Sequence, residues 1–295
     1  MSEKIMDGKV IAAEMREELK KRLAPLKEKG VMPGLGVVLV GDDPASRSYV
    51  TAKERACQDV GIHSQEIRLD APAPLEEILD AVRGYNRDPD IHGILVQLPL
   101  PDARMEAEVI AAIDPDKDVD GFHPVNIGRM ILGLPAFLPC TPHGVLQMLK
   151  RAGQSPNGRH VVIIGRSNIV GRPLANLLTL KNELGNATVT LCHTGTGDLA
   201  HHTRQADIIV AAAGRPHTVT ADMVRDGAVV VDVGVNRVDD ASRPRGYRLV
   251  GDVDFDGVFD KVSAITPVPG GVGPMTITML LYNTVEAAER KQQQG

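Results

Sequence analysis

A tyrosine and a lysine four residues apart are the most chemically suggestive pair in the first half of the chain. Tyr49 and Lys53 would lie on one face of a predicted helix. Gln97 interrupts an apolar segment, where a polar side chain needs a partner. If Lys53 stood alone, a solvated helix lysine would be the preferred interpretation, but Gln97 offers it a polar partner.

Two aspartates follow at the point where a strand would give way to a crossover between domains. Asp118 and Asp120 are separated by one valine. Ligand sites of parallel sheets gather at the carboxyl ends of strands, which makes both side chains candidates for a site. The alternative for one of the two is stabilisation of a polar turn.

The second half of the chain contains the strand, glycine turn and helix start that a dinucleotide loop requires. Gly165 would allow the turn and Gly171 the close packing of the helix, whose free N–H groups would bind a pyrophosphate. Ser167 replaces the second glycine of the usual motif, so a plain strand-to-helix turn is the alternative. The next strand ends near Thr194 and is not followed by the Asp or Glu that usually hydrogen-bonds the ribose hydroxyl of NAD. Arg166 could contact a 2′-phosphate, which favours NADP.

A loop of prolines and glycines at 267–274 is the last candidate. Glycines held between prolines form a shaped loop that a flat ligand can approach closely. A rigid linker is the alternative.

Helical and strand patterns alternate along the chain and would position these residues. Asp43 is the predicted N-cap of the helix that carries Lys53, with Pro44 at its first position. The predicted helices are 10–29, 44–60, 75–87, 142–151, 171–184 and 275–290. The predicted strands are 34–40, 63–69, 91–98, 160–164, 187–192, 206–212, 228–233 and 262–265.

Continuous apolar strands between helices predict parallel sheets that are covered on both faces. We therefore expect an α/β protein with two three-layer domains, the second Rossmann-like, and a cleft between them. The expected first domain is 1–121, joined by the C-terminal helix 275–290, and the expected second domain is 122–274.

Composition excludes several other classes of protein. The 295 residues include 33 basic and 38 acidic side chains, for a net charge of −5, so a basic field for nucleic acid is absent. No apolar run approaches the ~18 residues of a membrane span, and the N-terminus lacks the apolar core of a secretory signal. Cys57, Cys140 and Cys192 are expected to be buried, small apolar residues. Their odd number and wide spacing predict a reducing compartment, the cytoplasm, and no metal site.

Taken together, these segments resemble the bifunctional methylenetetrahydrofolate dehydrogenase/cyclohydrolase family over nearly the whole chain. Several long motifs in one order make the resemblance specific. The motifs are 40–46 (VGDDPAS), 49–53 (YVTAK), 96–101 (VQLPLP), 116–122 (DKDVDGF), 165–173 (GRSNIVGRP) and 267–276 (PVPGGVGPMT).

The resemblance implies that 5,10-methylenetetrahydrofolate is oxidised with NADP and that the methenyl product is hydrolysed to 10-formyltetrahydrofolate. It implies that Lys53 is the key catalytic residue with Gln97 as its partner, that Tyr49 lines the cleft beside the folate ring, and that Asp120 holds the pterin. It also implies a homodimer formed through the nucleotide domain. The implied folate-flanking residues are Pro269 and Gly273, and the implied cofactor residues are Gly165, Arg166, Ser167, Thr194 and Val235.

The chain departs from the family pattern at 194–197 (TGTG), where members often have serine and a basic residue. One possible cation is thereby missing from the 2′-phosphate site. Three alternatives remain at this stage: an NAD-dependent monofunctional folate dehydrogenase, a non-catalytic nucleotide sensor and a Rossmann amino-acid dehydrogenase. Intact Lys53, Gln97 and Asp120 argue against the sensor, and the amino-acid dehydrogenase gives the first half of the chain no role.

Overall fold

The chain forms two compact units in a computed structural model that describes residues 3–243 and 246–294. The lysine unit, named for Lys53, contains Ala13–Cys140 and Ile277–Gly295. The glycine-loop unit, named for the loop at Gly165, contains Met1–Ala12 and Thr141–Thr276.

Helices and strands alternate through both units. The helices are α1 (Gly8–Glu28), α2 (Pro44–Val60), α3 (Leu75–Arg87), α4 (Glu106–Ala112), α5 (Pro124–Ile131), α6 (Cys140–Arg151), α7 (Gly171–Thr179), α8 (Leu199–Thr203), α9 (Phe255–Val258) and α10 (Val272–Gln294). The strands are β1 (Gly34–Val40), β2 (His63–Leu69), β3 (Gly93–Val96), β4 (His160–Ile164), β5 (Thr188–Cys192), β6 (Ile208–Ala211), β7 (Val229–Asp232), β8 (Asn236–Asp239), β9 (Tyr247–Val250) and β10 (Ala264–Ile265). Short 3₁₀ turns occupy Ala103–Met105 and Ala221–Met223.

The sheet of the lysine unit is parallel, with the order β2-β1-β3. Every residue of β1 and β3 is buried, so these two strands are covered on both faces, while the residues of the edge strand β2 are exposed or half-buried. Gln97 follows β3 directly, and its N–H donates to Val38 O at 2.9 Å. On the outer side of β3, Ile94 forms a parallel bridge with Asp118. The carboxyl end of β3 and the two aspartates are thus neighbours.

The sheet of the glycine-loop unit is also parallel, with the order β10-β7-β6-β4-β5. From β4 the chain adds β5 on one side and then returns to add β6 on the other. The carboxyl ends of β4 and β6 therefore flank a topological switch point, the usual location of a ligand in open α/β sheets. Strands β8 and β9 form a separate antiparallel ribbon.

Most predicted elements are confirmed, several of them to the residue. Helix α2 begins after Asp43, whose side chain accepts from Ser46 N at 2.8 Å, and it ends at Gly61 with φ 91°. The predicted helix 171–184 is wrong at its end, because α7 stops at Thr179. Leu180 is extended, and its carbonyl accepts from Asn186 N at 2.7 Å, which turns the chain back toward β5.

The two units differ in extent from the expected domains. The N-terminal residues belong to the glycine-loop unit because Ile5 forms a parallel bridge with Ile265 beside β10. Residues 122–140 belong to the lysine unit, where Phe137 is buried and Asn283 Nδ2 donates to Leu138 O at 3.0 Å. Within the described residues, no helix is long and apolar enough to cross a membrane.

Candidate active site

A buried lysine paired with an amide forms the centre of the site in the lysine unit. Lys53 lies on α2 and is only 6% exposed. Its Nζ donates to Gln97 Oε1 at 3.0 Å, while Gln97 Nε2 donates to Leu98 O at 2.6 Å. The second hydrogen bond fixes the orientation of the amide, so its oxygen faces the lysine. Helix α2 and the end of β3 therefore bring together the two residues that the sequence placed 44 positions apart.

The surroundings of Lys53 make its ammonium easier to deprotonate than that of a solvated lysine. Burial lowers the pKa of Lys53, and the opposing charge of Asp120 offsets part of that effect. The Lys53 Nζ lies 5.2 Å from the centre of the Tyr49 ring. Tyr49 is 38% exposed, so its ring is open to a ligand beside the lysine.

The two neighbouring aspartates have different surroundings. Asp118 is 1% exposed and accepts from His123 N at 2.8 Å, Phe122 N at 3.2 Å and Asn126 Nδ2 at 2.9 Å. Burial raises the pKa of Asp118 to about 6. Its hydrogen bonds hold the turn after residue 118, as the turn alternative predicted.

Asp120 is the aspartate that shares the environment of Lys53. It is half-buried, and burial raises its pKa while Lys53 lowers it. A hydrogen bond with the Cys140 thiol also lowers the pKa of Asp120. Tyr49, Lys53, Gln97 and Asp120 are thus grouped within one unit.

Two further residues of this site were missed by the sequence analysis. Cys140 is buried like Cys57 and Cys192, as predicted, but its thiol also donates to Val119 O at 3.3 Å and lies beside Asp120. Asn283, on α10, donates to Val119 O at 2.8 Å. A polar amide in the apolar part of the final helix was a signal that could have identified Asn283. An isolated cysteine carried no such signal.

The glycine loop after β4 can accommodate only glycine at its two key positions. Gly165 has φ 121°, and a Cβ there would lie 2.1 Å from Ala212 O. A Cβ on Gly171 would lie 1.9 Å from Gly165 O. Ser167 Oγ accepts from Val170 N at 3.1 Å and so stabilises the turn that leads into α7. Backbone without side chains at a helix N-terminus fits the pyrophosphate of a dinucleotide.

The other predicted cofactor residues lie at the same edge of this sheet. Arg166, Ser167 and Thr194 are exposed after β4 and β5, and Val235 is 60% exposed after β7. The Arg166 guanidinium is exposed and can donate to a 2′-phosphate. No carboxylate directly follows β5, so no negative charge there would repel that phosphate. The residues present therefore fit NADP.

The loop at 267–274 is shaped by close backbone contacts within the glycine-loop unit. Gly270 has φ 107°, and a Cβ on Gly8 would lie 1.8 Å from Gly271 O. Pro269 is exposed and Gly273 is half-buried. These two residues belong to the other unit from Lys53.

Family models match both halves of the chain. The description "Tetrahydrofolate dehydrogenase/cyclohydrolase, catalytic domain" matches residues 6–120, and the NAD(P)-binding domain of the same family matches residues 139–292. The chain belongs to the tetrahydrofolate dehydrogenase/cyclohydrolase family. This membership excludes the amino-acid dehydrogenase alternative, since the half of the chain that it left unexplained matches the family's catalytic domain.

Similar proteins from this family match over almost their whole lengths. The "Bifunctional protein FolD" of Dehalococcoides mccartyi strain CBDB1 is 57% identical, with 98% of each chain covered. The bifunctional FolD structure from Campylobacter jejuni has a TM-score of 0.91 at 49% identity, covering 97% of this chain and 99% of that one. The Trypanosoma brucei FolD structure, complexed with NADP cofactor and inhibitor, has a TM-score of 0.93 at 38% identity, with 98% of each chain covered.

Proposed function

We propose that this protein is a bifunctional enzyme that oxidises 5,10-methylenetetrahydrofolate with NADP and hydrolyses the methenyl product to 10-formyltetrahydrofolate. The observation that carries the proposal is the buried Lys53 whose Nζ donates to Gln97 Oε1, beside Asp120 and the open Tyr49 ring. This arrangement lies in the half of the chain that matches the family's catalytic domain.

Hydrolysis requires an activated water and a place for its proton. In our proposal, the neutral Lys53 amine accepts a proton as water forms a C–O bond to the methenyl carbon. The hydroxyl now on that carbon loses its proton as the C=O bond forms and the bond from the carbon to N5 breaks. N5 takes up a proton, so that one proton is released overall and the formyl group remains on N10. Gln97 supports this role because an amide oxygen can orient the amine through an N–H without adding a charge that would favour the ammonium.

The oxidation step needs less acid–base catalysis from the protein than the hydrolysis step. When bound, NADP supplies the acceptor for the hydride that leaves the methylene carbon. The folate nitrogens stabilise the cation that remains, so the contribution of the chain is to hold the two reactants in register. The glycine loop at Gly165 and Gly171 would hold the pyrophosphate, and Arg166 with Thr194 would select the 2′-phosphate.

Recognition of folate is assigned to the groups around Lys53. An Asp120 carboxylate can accept two N–H donors from the amino-pyrimidine edge of the pterin at once, which would fix the orientation of the ring. Tyr49 would pack its exposed ring against the aromatic part of the substrate. Pro269 and Gly273 are proposed to flank the folate, because their loop offers backbone that a flat ligand can approach.

A spectroscopic assay tests the proposal directly. Purified protein is mixed with 5,10-methylenetetrahydrofolate and either NADP or NAD, while reduced cofactor and methenyl product are followed at their separate bands. We expect NADP to be reduced faster than NAD, and methenyl product to appear and then decay faster than in buffer. No reduction with either cofactor would refute the dehydrogenase, and decay at the buffer rate would refute the cyclohydrolase.

A homodimer in the cytoplasm completes the proposal. The β8–β9 ribbon forms a sheet of its own, and Leu249 on it is 38% exposed. The edges of such a ribbon are suited to pairing with a second copy of the chain. Sedimentation equilibrium should therefore give twice the chain mass. The free thiols of all three cysteines suit a reducing compartment.

A further inference from the structure

Two buried aspartates in the glycine-loop unit have no part in the proposed mechanism. Asp252 is 0% exposed and Asp232, at the end of β7, is 4% exposed. Neither lies in the glycine loop after β4. Their hydrogen bonds nevertheless converge on the backbone at the carboxyl edge of the sheet.

Asp252 collects four N–H donors from two separate segments. Its Oδ2 accepts from Ala213 N at 2.6 Å and Gly214 N at 2.8 Å. Its Oδ1 accepts from Arg215 N at 2.9 Å and Asn236 Nδ2 at 2.8 Å. Because both oxygens serve only as acceptors, an ionised carboxylate is the group that satisfies all four donors.

Asp232 holds Asp252 in place. Its Oδ1 accepts from Asp252 N and from Gly234 N, both at 2.9 Å, and its Oδ2 accepts from Val253 N at 2.9 Å. A Cβ on Gly234 would lie 2.2 Å from Asp252 Oδ1, and a Cβ on Gly251 would lie 1.8 Å from Asp232 Oδ2. Both neighbouring glycines thus make room for the carboxylates.

The segments held by this pair adjoin the proposed cofactor site. Residues 213–215 follow β6 across the switch point from the glycine loop, and a Cβ on Gly165 would touch Ala212 O at 2.1 Å. Val235 lies between Gly234, which donates to Asp232, and Asn236, which donates to Asp252. We propose that Asp252, held by Asp232, is a positioning residue that fixes the 213–215 and 234–236 segments in the geometry that binds NADP. This inference rests on the proposed function of the glycine-loop unit.

The test compares Asp252→Asn with a matched change two residues away. An asparagine offers one acceptor oxygen and turns an NH₂ group toward N–H donors, so at least one donor loses its partner. We expect the Kd of NADP, measured by calorimetric titration, to rise about tenfold or more. Asp254→Asn is the control, because Asp254 caps α9, asparagine is an equally good cap, and the other side-chain contact of Asp254 is with His217 Nδ1 at 3.8 Å. Its Kd should equal that of the wild type.

Two readouts separate positioning from general damage to the fold. Hydrolysis of supplied methenyltetrahydrofolate uses no cofactor, and Asp252→Asn should retain it within about twofold. In hydrogen exchange without NADP, peptides covering 213–215 and 234–236 should exchange faster, while β4, β6 and β7 should be unchanged. In the dehydrogenase assay, the KM for NADP should rise more than kcat falls. If Asp252→Asn does not fold, Asn236→Leu removes one of the four donors to Asp252, together with a contact of 3.5 Å to Val250 O, and should show a smaller change of the same kind.

The possible failures are distinguishable. Wild-type affinity for NADP in Asp252→Asn would overturn the inference alone. Faster exchange throughout β4, β6 and β7 would also overturn it, because the aspartate would then be a general stabiliser of the unit. A wild-type protein that binds no NADP would overturn the proposed function itself, and this inference with it.

Discussion

Lys53 and Asp120 influence each other's protonation, and the direction of that influence can be tested. The negative charge of Asp120 raises the pKa of Lys53 against the larger, lowering effect of burial. In Asp120→Asn we therefore expect the pKa of Lys53 to fall further, so that the amine becomes neutral at a lower pH. NMR titration of protein labelled with ¹³C-lysine measures this. Asp116→Asn, at an exposed carboxylate in the same segment, should leave the Lys53 titration unchanged. A raised pKa in Asp120→Asn would contradict the electrostatic account.

Removing the amine itself tests its catalytic role. In Lys53→Met we expect hydrolysis to fall at least about 100-fold, the ordinary contribution of a general base, with the fold and NADP binding retained. Stopped-flow decay of methenyltetrahydrofolate gives the rate, and circular dichroism checks the fold. Lys21→Met changes an exposed lysine of α1 and should hydrolyse like the wild type. Ordinary hydrolysis in Lys53→Met would remove the lysine from the mechanism.

Arg166 carries the proposed choice between the two cofactors. In Arg166→Ala we expect the preference for NADP over NAD to weaken about tenfold or more, the value of one hydrogen bond between charged groups. The ratio of kcat/KM for the two cofactors measures it. Arg172→Ala is the control, since it removes an exposed arginine of the same 165–173 motif whose guanidinium already donates to Asn168 Oδ1 at 2.7 Å. An unchanged ratio in Arg166→Ala would mean that another group recognises the 2′-phosphate.

At the scale of single residues, the sequence identified site residues whose type did not fit the local hydrophobic pattern. Gln97 in an apolar run was a candidate for this reason, whereas Lys53 by itself was an ordinary helix residue. The structure brings the Lys53 amine and the Gln97 amide oxygen to 3.0 Å. Asp118 and Asp120 looked alike, because only burial and the N–H groups around Asp118 distinguish them. Asp232 and Asp252 went unnoticed, since their donors come from loops that are distant in sequence.

At the scale of elements, the strand–turn–helix at β4 and α7 depends on Gly171. In Gly171→Ala the new Cβ would meet Gly165 O at 1.9 Å, so backbone must move on one side. We expect a loss of about 1–3 kcal/mol in the free energy of unfolding, measured in urea, together with weaker binding of NADP. Gly197→Ala is the matched control because nothing lies within 4 Å of its Cβ position. Equal stability of both variants would contradict the packing argument.

The accuracy of the predicted elements followed the strength of their local signals. Helix α2 was predicted to the residue because an aspartate N-cap, a proline and a C-terminal glycine bound it. Strand β3 is shorter than its apolar run. Gln97 keeps one hydrogen bond to β1, from its N–H to Val38 O, and the chain bends away at Leu98 and Pro99. Helix α7 ends early because the Leu180 carbonyl accepts a hydrogen bond from Asn186 N. The hydrophobic periodicity of the sequence contains no sign of that contact. The β8–β9 ribbon was not predicted.

At the scale of the whole molecule, the boundaries of the units depend on contacts between distant parts of the chain. The bridge from Ile5 to Ile265 and the hydrogen bonds of Asn283 join segments more than 100 residues apart. The expected boundary at residue 121 came from the local pattern of the chain, which contains no sign of either contact. What the sequence could supply was the α/β class and the presence of two domains, because these follow from the alternation of apolar strands and helices.

Two units with separate cores should respond differently to a cofactor that one of them binds. A ligand at 100 times its Kd stabilises the state that binds it by about 2.7 kcal/mol. We therefore expect saturating NADP to slow hydrogen exchange in β4, β6 and β7 of the glycine-loop unit more than in β1 and β3 of the lysine unit. Inorganic pyrophosphate at matched ionic strength is the control for charge alone and should give much smaller protection. Equal protection of both sheets by NADP would show that the two units open together, so that binding energy supplied in one is shared by the other.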